Sequence, residues 1–209
     1  MRRYRRWGKP FLDRAAAFLG LLLLGPAMIA IAMLVRNRLG SPILFRQARP
    51  GLHGRPFELV KFRSLTNERD AAGDLLPDAQ RLTCFGCLLR ATSLDELPEM
   101  WNVLRGEMSI VGPRPLLMQY LDRYTPEQAR RHEVRPGITG LAQVSGRNSL
   151  SWDEKFALDI EYVDNVSFML DVRIIISTIV KIVRREGISA SAHLTMPEFR
   201  GVAKSTDRR

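Results

Sequence analysis

From Ala15 to Val35 every position is apolar apart from Gly20, Gly25 and Pro26. As a straight helix these 21 residues would span roughly 30 Å, just enough for a bilayer core. Shorter patterns follow. Pro42–Gln47 and Pro56–Phe62 read as strands on either side of the turn-rich Arg49–Gly54, and period-two alternation sends Lys61 and Arg63 to one face. Residues 67–77 are polar and read as a loop. Thr125-Pro-Glu-Gln128 opens a short helix with proline in its first turn, and Ser151-Trp-Asp-Glu154 is a capping box for a helix through about Val163. Phe168–Arg185 is rich in Ile and Val but too polar to span. It fits either core packing or the membrane interface, with Lys181, Arg184 and Arg185 at its end. Beyond Ser189 the tail is polar.

The flanks of the long apolar run are basic on both sides: Arg2, Arg3, Arg5, Arg6 and Lys9 precede it, and Arg36 and Arg38 follow. Positive charge favours the cytoplasmic face, so both ends are drawn to the same side. Pro26 removes a backbone hydrogen bond near the middle. The pattern favours a re-entrant helix broken at Gly25-Pro26. A straight span ranks second and a cleaved signal peptide third, the latter because Ala30-Ile31-Ala32 resembles a cleavage site.

Charge sharpens the picture. The net charge of +10 could suggest a nucleic-acid partner, but residues 1–57 hold eleven Lys/Arg against one acid, while residues 58–209 hold 21 of each sign. The excess surrounds the apolar segment, so the expected surface is membrane lipid and no nucleic acid. Cys84 and Cys87 form a lone Cys-x-x-Cys without a second ligand pair, and His53, His132 and His193 are scattered. Buried, reduced thiols without a metal role are expected.

The candidate chemistry lies in Arg90–Leu116. Ser93 with Glu96 three residues later, ahead of an apolar run, has the form of a capping box. It would place Asp95 and Glu96 in a first helical turn, where the dipole favours an ionised carboxylate. The same spacing is ordinary helix capping. Pro98 makes the helix open irregularly or begin again there. Pro113-Arg114-Pro115 sets a guanidinium on a stiff backbone, suited to a phosphate or to a plain surface loop. Residues 134–148, with three glycines between Arg135 and Arg147, form a tight loop that either carries a ligand or is a structural turn.

Taken together, these segments resemble the small monotopic phosphoglycosyl transferases of the bacterial sugar transferase family. The likeness runs from about Lys9 to Gly201. It rests on Arg49-Pro-Gly-Leu52, Lys61-Phe62, Glu68-Arg-Asp70, Ser93-Leu-Asp-Glu-Leu97, Val111-Gly-Pro-Arg-Pro-Leu-Leu117 and Val134-Arg-Pro-Gly-Ile-Thr-Gly140. Gln143-Val144, Gly146-Arg-Asn148 and Ser151-Trp152 add to it. The nearest likeness is to members acting on N,N′-diacetylbacillosamine in Campylobacter-type N-glycosylation, with N-acetylgalactosamine or another N-acetylated hexosamine behind it.

The resemblance implies transfer of a sugar 1-phosphate from a UDP-sugar to undecaprenyl phosphate with release of UMP, the first membrane step of glycoconjugate assembly. Asp95 would be the nucleophile that carries the phospho-sugar. Glu96 would complete the dyad, and both would hold Mg²⁺. Arg114 would bind phosphate, with Lys61, Arg90, Arg135 and Arg147 as further substrate-binding residues. A homodimer, or downstream glycosyltransferases, would be further partners. The family's helix break is commonly Ser-Pro. Here it is Gly25-Pro26, which permits a bend but supplies no hydroxyl.

The expected fold is α/β, mainly α: a re-entrant N-terminal membrane helix, interfacial amphipathic helices and a small globular domain with a short β-hairpin. Residues 1–40 form the basic N-terminus and membrane helix, 41–187 the cytoplasmic catalytic domain and 188–209 the tail. The expected location is the cytoplasmic face of the bacterial inner membrane. A nucleic-acid module would spread its positive charge over the folded domain, and a non-catalytic scaffold would tolerate loss of Asp95 or Arg114. Neither fits as well as an enzyme.

Overall fold

The computed structural model describes residues 3–146, 149–184 and 198–201. A π-helical turn, Tyr4–Gly8, leads into α1, Lys9–Leu39. Helical backbone continues across Gly25-Pro26, so the expected break does not divide this segment into two helices. Proline's fixed φ is compatible with helical backbone, and the missing hydrogen bond permits a bend without ending the helix.

The hairpin follows as predicted. Strand β1, Leu44–Pro50, pairs antiparallel with β2, Pro56–Phe62, through a short 3-10 turn at Leu52–Gly54. The polar loop of residues 67–77 leads to α2, Asp78–Arg81, and α3, Cys84–Ala91. After α4, Glu99–Arg105, comes a three-residue strand, β3, Ser109–Val111. Helix α5, Pro126–Ala129, starts where expected with proline in its first turn, and the structure adds a capping box between Thr125 and Gln128. Strand β4, Gly137–Thr139, pairs parallel with β3, and α6 is Leu141–Ser145. The Ser151 capping box starts α7, Trp152–Asn165, and Ser167 caps α8, Phe168–Val183. Arg147, the domain boundary at 187 and most of the tail lie outside the described residues. Within the tail, Phe199 is buried among Tyr120, Trp152 and Phe156.

The glycine-rich segment after Val134 is structural at its centre. A Cβ on Gly137 would meet Gly112 N at 2.1 Å, so β3 and β4 approach more closely there than any side chain allows.

Both halves of α1 pack on the same domain. Ala17 is buried with Leu59, Val103 and Met108, whereas Ile31 and Val35 are buried with Phe62 and Leu89. Between and around these contacts, Phe18, Leu22, Leu23 and Ile29 are exposed, as are Ile176, Ile179 and Val183 of α8. The foot of α1 is clamped by a buried polar network. Tyr4 Oη donates to Asp171 Oδ2 at 2.6 Å, Lys9 Nζ donates to the same oxygen at 2.7 Å, and Tyr162 Oη donates to Oδ1 at 2.7 Å. Asp13 accepts from Ser109 Oγ at 2.7 Å, which joins the helix to the start of β3. Lys9 is therefore a buried partner of Asp171 and not part of the solvated basic flank.

Candidate active site

The dyad sits on a turn of its own. Helix α3 is capped by Thr83, whose side chain accepts from Gly86 N, and ends before Ser93. Ser93 adopts a left-handed conformation (φ 55°, ψ 20°) and makes no capping bond, so the expected capping box with Glu96 does not form. Leu94–Glu96 is instead a single 3-10 turn, and α4 begins afresh behind Pro98. The reason lies in Pro98. Without an N–H it cannot continue a helix opened at Leu94, and Glu96 is drawn into ion pairs instead of back to Ser93. A serine held at positive φ costs roughly 1–2 kcal/mol, and such strain clusters at functional sites.

Three segments converge on Glu96. Lys61 Nζ, from β2, donates to Glu96 Oε1 at 2.8 Å and lies 2.9 Å from Glu99 Oε1. Arg114 Nη2 donates to Glu96 Oε1 at 2.7 Å. Burial works to raise the Glu96 pKa, but Arg114 and Lys61 outweigh it and hold the carboxylate well below its usual range. Glu99 is displaced upwards, because burial acts on it with only Lys61 in contact. Glu96 in turn keeps Arg114 firmly charged.

Asp95 is buried, and among the described residues its carboxylate accepts no hydrogen bond. Burial, with the neighbouring Glu96 charge, pushes it up to about 6 against the opposing pull of Lys61, Arg114 and Arg90. It is thus easier to protonate than a first-turn position would imply. Its oxygens are uncommitted while cations surround it, which is the state an oxygen nucleophile or a cation ligand needs. Glu96 takes both of its cations on Oε1, and among the described residues no partner is found on Oε2. One or two carboxylates beside phosphates suit Mg²⁺, so Asp95 and Glu96 fit that ion, although no cluster of three or more His, Cys, Asp or Glu forms among the described residues.

Arg114 is steered from behind. Arg131 is fully buried, paired with Asp159 Oδ2 at 2.7 Å, and donates Nη2 to the Arg114 carbonyl oxygen at 2.8 Å. Val111, just ahead of Pro113-Arg114-Pro115, is pinned by Tyr162 Oη at 3.0 Å.

Of the residues expected from the sequence, Asp95, Glu96, Lys61 and Arg114 therefore meet. Arg90 stands at the edge: its Nε donates to Ser64 Oγ at 2.9 Å and its charge reaches Asp95. Arg135 is not brought to this cluster. Its Nε donates to the Gly106 carbonyl at 2.7 Å, beyond the far end of α4, where the helix's free carbonyls attract a cation. Arg63 does not join Lys61, because β2 ends at Phe62 and the Arg63 guanidinium caps the Leu39 and Ser41 carbonyls behind α1. Cys84 is exposed and Cys87 half-buried, contrary to the expected buried pair, because the N-terminus of α3 lies at the surface. Glu99, Arg131 and Asp159 were not singled out from the sequence. Only the run Asp95-Glu-Leu-Pro-Glu99, with its second acid one turn on, hinted at the first of them.

The model of the bacterial sugar transferase family matches residues 4–185. The chain belongs to the bacterial sugar transferase family. It is a transferase. A relative in Bacillus subtilis (strain 168), named an uncharacterized sugar transferase EpsL, is 53% identical over 193 residues, which cover 92% of this chain and 96% of that one. A UDP-glucose:undecaprenyl-phosphate glucose-1-phosphate transferase of Caulobacter vibrioides is 40% identical over 183 residues, 82% of this chain and 68% of that one. An undecaprenyl-phosphate galactose phosphotransferase of Salmonella typhimurium is 36% identical over 203 residues, 89% of this chain but 42% of its own length. The named activities of the last two are sugar-phosphate transfers to undecaprenyl phosphate, with glucose and galactose respectively as the sugar. None of the three is named for bacillosamine, the sugar expected from the nearest likeness.

Proposed function

We propose that this sugar transferase moves a sugar 1-phosphate from a UDP-sugar to undecaprenyl phosphate through a covalent intermediate on Asp95. The observation that carries the reading is the Asp95 carboxylate: buried, free of hydrogen bonds among the described residues, and within electrostatic reach of Lys61, Arg114 and Arg90. An Asp95 oxygen attacks the β-phosphorus of the donor. The new O–P bond forms as the bond to the α-phosphate oxygen breaks, and UMP leaves. A phosphate oxygen of undecaprenyl phosphate then attacks the same phosphorus, breaks the Asp95 O–P bond and returns the carboxylate. Lys61 and Arg114 offset the charge that builds at phosphorus, and Glu96 holds both cations in position. Mg²⁺ held by Asp95 and Glu96 would supply further charge neutralisation.

A lipid acceptor fits the outer surface. Leaving Phe18, Leu22, Leu23 and Ile29 in water forgoes roughly 1.5–3 kcal/mol for each large side chain, which a bilayer recovers. A helix that spans the bilayer cannot pack both of its halves on one small domain. The contacts of Ala17 and of Val35 with that domain favour a re-entrant α1 on the cytoplasmic face of the inner membrane.

The donor's sugar is best sought among glucose and galactose first, with N-acetylhexosamines and N,N′-diacetylbacillosamine as further candidates. The test is UMP release from a panel of these UDP-sugars, with and without undecaprenyl phosphate, by wild type and Asp95→Asn. Turnover that requires donor, lipid and Asp95, with a phospho-sugar mass on Asp95 when lipid is withheld, is the expected result. Ordinary turnover by Asp95→Asn would remove the nucleophile from the scheme.

A further inference from the structure

Arg49 has no part in the reaction as written, yet it faces the same site. It borders a cavity of about 90 Å³ together with Lys61, Glu99, Arg114 and Leu116. Its Nη2 donates to Gln47 Oε1 at 2.6 Å, Nη1 makes only a long contact of 3.5 Å with the Pro115 carbonyl, and Nε is buried without a partner. No carboxylate forms an ion pair with it among the described residues. Arg114 faces it as a like charge, and burial and that repulsion together weaken its hold on its proton. The other two cations are already committed, Arg114 to Glu96 and Lys61 to both Glu96 and Glu99. Glu99 is the one acid lining the cavity. It is 2% exposed, and its Oε1 ion-pairs with Lys61 at 2.9 Å.

A guanidinium taken partly out of water without a counter-charge is unfavourable unless an anion arrives to complete it. Three cations around one small cavity, with a free fork edge on Arg49, suit an oxyanion of phosphate size. The cavity shares Lys61 and Arg114 with the dyad, so it lies next to the reacting centre.

We infer that the cavity between Arg49, Lys61, Glu99 and Arg114 is a second phosphate subsite, beside the one at Asp95, and that Arg49 is its dedicated ligand. The inference rests on the phosphoglycosyl transfer reading. A diphosphate donor brings a non-reacting phosphoryl group that leaves in UMP, and the acceptor brings a phosphate monoester of its own. Both present the same oxyanion chemistry, and one subsite adjoining the reacting phosphorus serves whichever is bound.

The experiment uses the full chain in detergent. Binding of UMP, uridine and inorganic phosphate is measured by calorimetry for wild type, Arg49→Gln and Arg49→Lys. Michaelis constants for the UDP-sugar and for undecaprenyl phosphate are measured on the same preparations. Wild type should bind UMP more tightly than uridine, and Arg49→Gln should weaken UMP about tenfold or more while leaving uridine unchanged. Arg49→Lys should fall between, because it keeps the charge and loses the fork. A matching rise in donor KM alone assigns the subsite to the donor's non-reacting phosphate. A rise in acceptor KM alone, with UMP binding unchanged, assigns it to the lipid phosphate. UMP affinity and both KM values within twofold of wild type would overturn the subsite, as would proportional losses for UMP and uridine, which mark a purely structural role. Should Arg49→Gln fail to fold, Arg49→Lys decides by the same criteria. Failure of the transfer reading itself would look different: wild type would then turn over no donor at all.

Discussion

Arg131 donates to the Arg114 carbonyl oxygen at 2.8 Å while its own charge is held by Asp159, so a buried ion pair supports the backbone that carries Arg114. Removing either partner strands the other charge in the core. Asp159→Ala should destabilise the protein by about 3–5 kcal/mol. It should also lower turnover beyond what the unfolded fraction explains, because the Arg114 loop loses its support. Thermal unfolding and kcat/KM on the folded fraction test this. Stability loss with unchanged kcat/KM would separate the pair from the site.

Asp95 carries a folded-state pKa of about 6 against an ordinary 3.8. Ionising it therefore costs more in the fold than in the unfolded chain. The stabilisation of the protonated form is complete below about 3.8 and is lost as pH rises through about 6, a difference of about 3 kcal/mol. Asp95→Asn, neutral throughout, should melt above wild type at pH 8, and the gap should close near pH 4. Unfolding curves in the presence of EDTA give the answer. An equal gap at both pH values would contradict burial as the cause.

Among the described residues, Lys61 is the one cation that ion-pairs with both Glu96 and Glu99. Lys61→Met keeps most of the side-chain volume and removes the charge. Glu96 keeps Arg114, but Glu99 is left without a counter-ion. The expected loss in kcat is about 10²–10³-fold, the scale of removing one electrostatic contact to the transition state. A change confined to KM would instead mark Lys61 as a ground-state binder.

Lys9, Tyr4 and Tyr162 all donate to Asp171, which fastens the foot of α1 to α8. Lys9→Met should destabilise by about 3–5 kcal/mol, because Asp171 is then buried with hydroxyl donors only. Combining it with Asp171→Leu should recover part of that loss, since Asp171 is then no longer stranded, while Asp13, 3.7 Å from Lys9 Nζ, still loses its cation. A double-mutant cycle on melting data measures the coupling. Simple additivity would mean that the two residues do not act as a pair.

The sequence by itself determined whatever is decided within a few residues. The helix start at Thr125, the Ser151 capping box, the hairpin ending at Phe62 and the long apolar helix follow from bonds and periodicities that close locally. Asp95, Glu96 and Arg114 could be singled out too, because their motifs are contiguous. Only the tertiary structure decided what those residues do to one another. The Lys61–Glu96 and Arg114–Glu96 pairs join positions 35 and 18 residues apart, and β3 and β4 are three-residue strands with no periodicity to announce them. Ser93 shows the competition directly. Its local pattern favours a cap, but cations delivered by β2 and by the Pro113-Arg114-Pro115 loop hold Glu96 elsewhere, and Pro98 bars the helix that a cap would start. Arg135 and Arg63 show the same limit: one is expected among the substrate-binding residues and the other beside Lys61, and each is claimed by a helix-end carbonyl once the chain is folded.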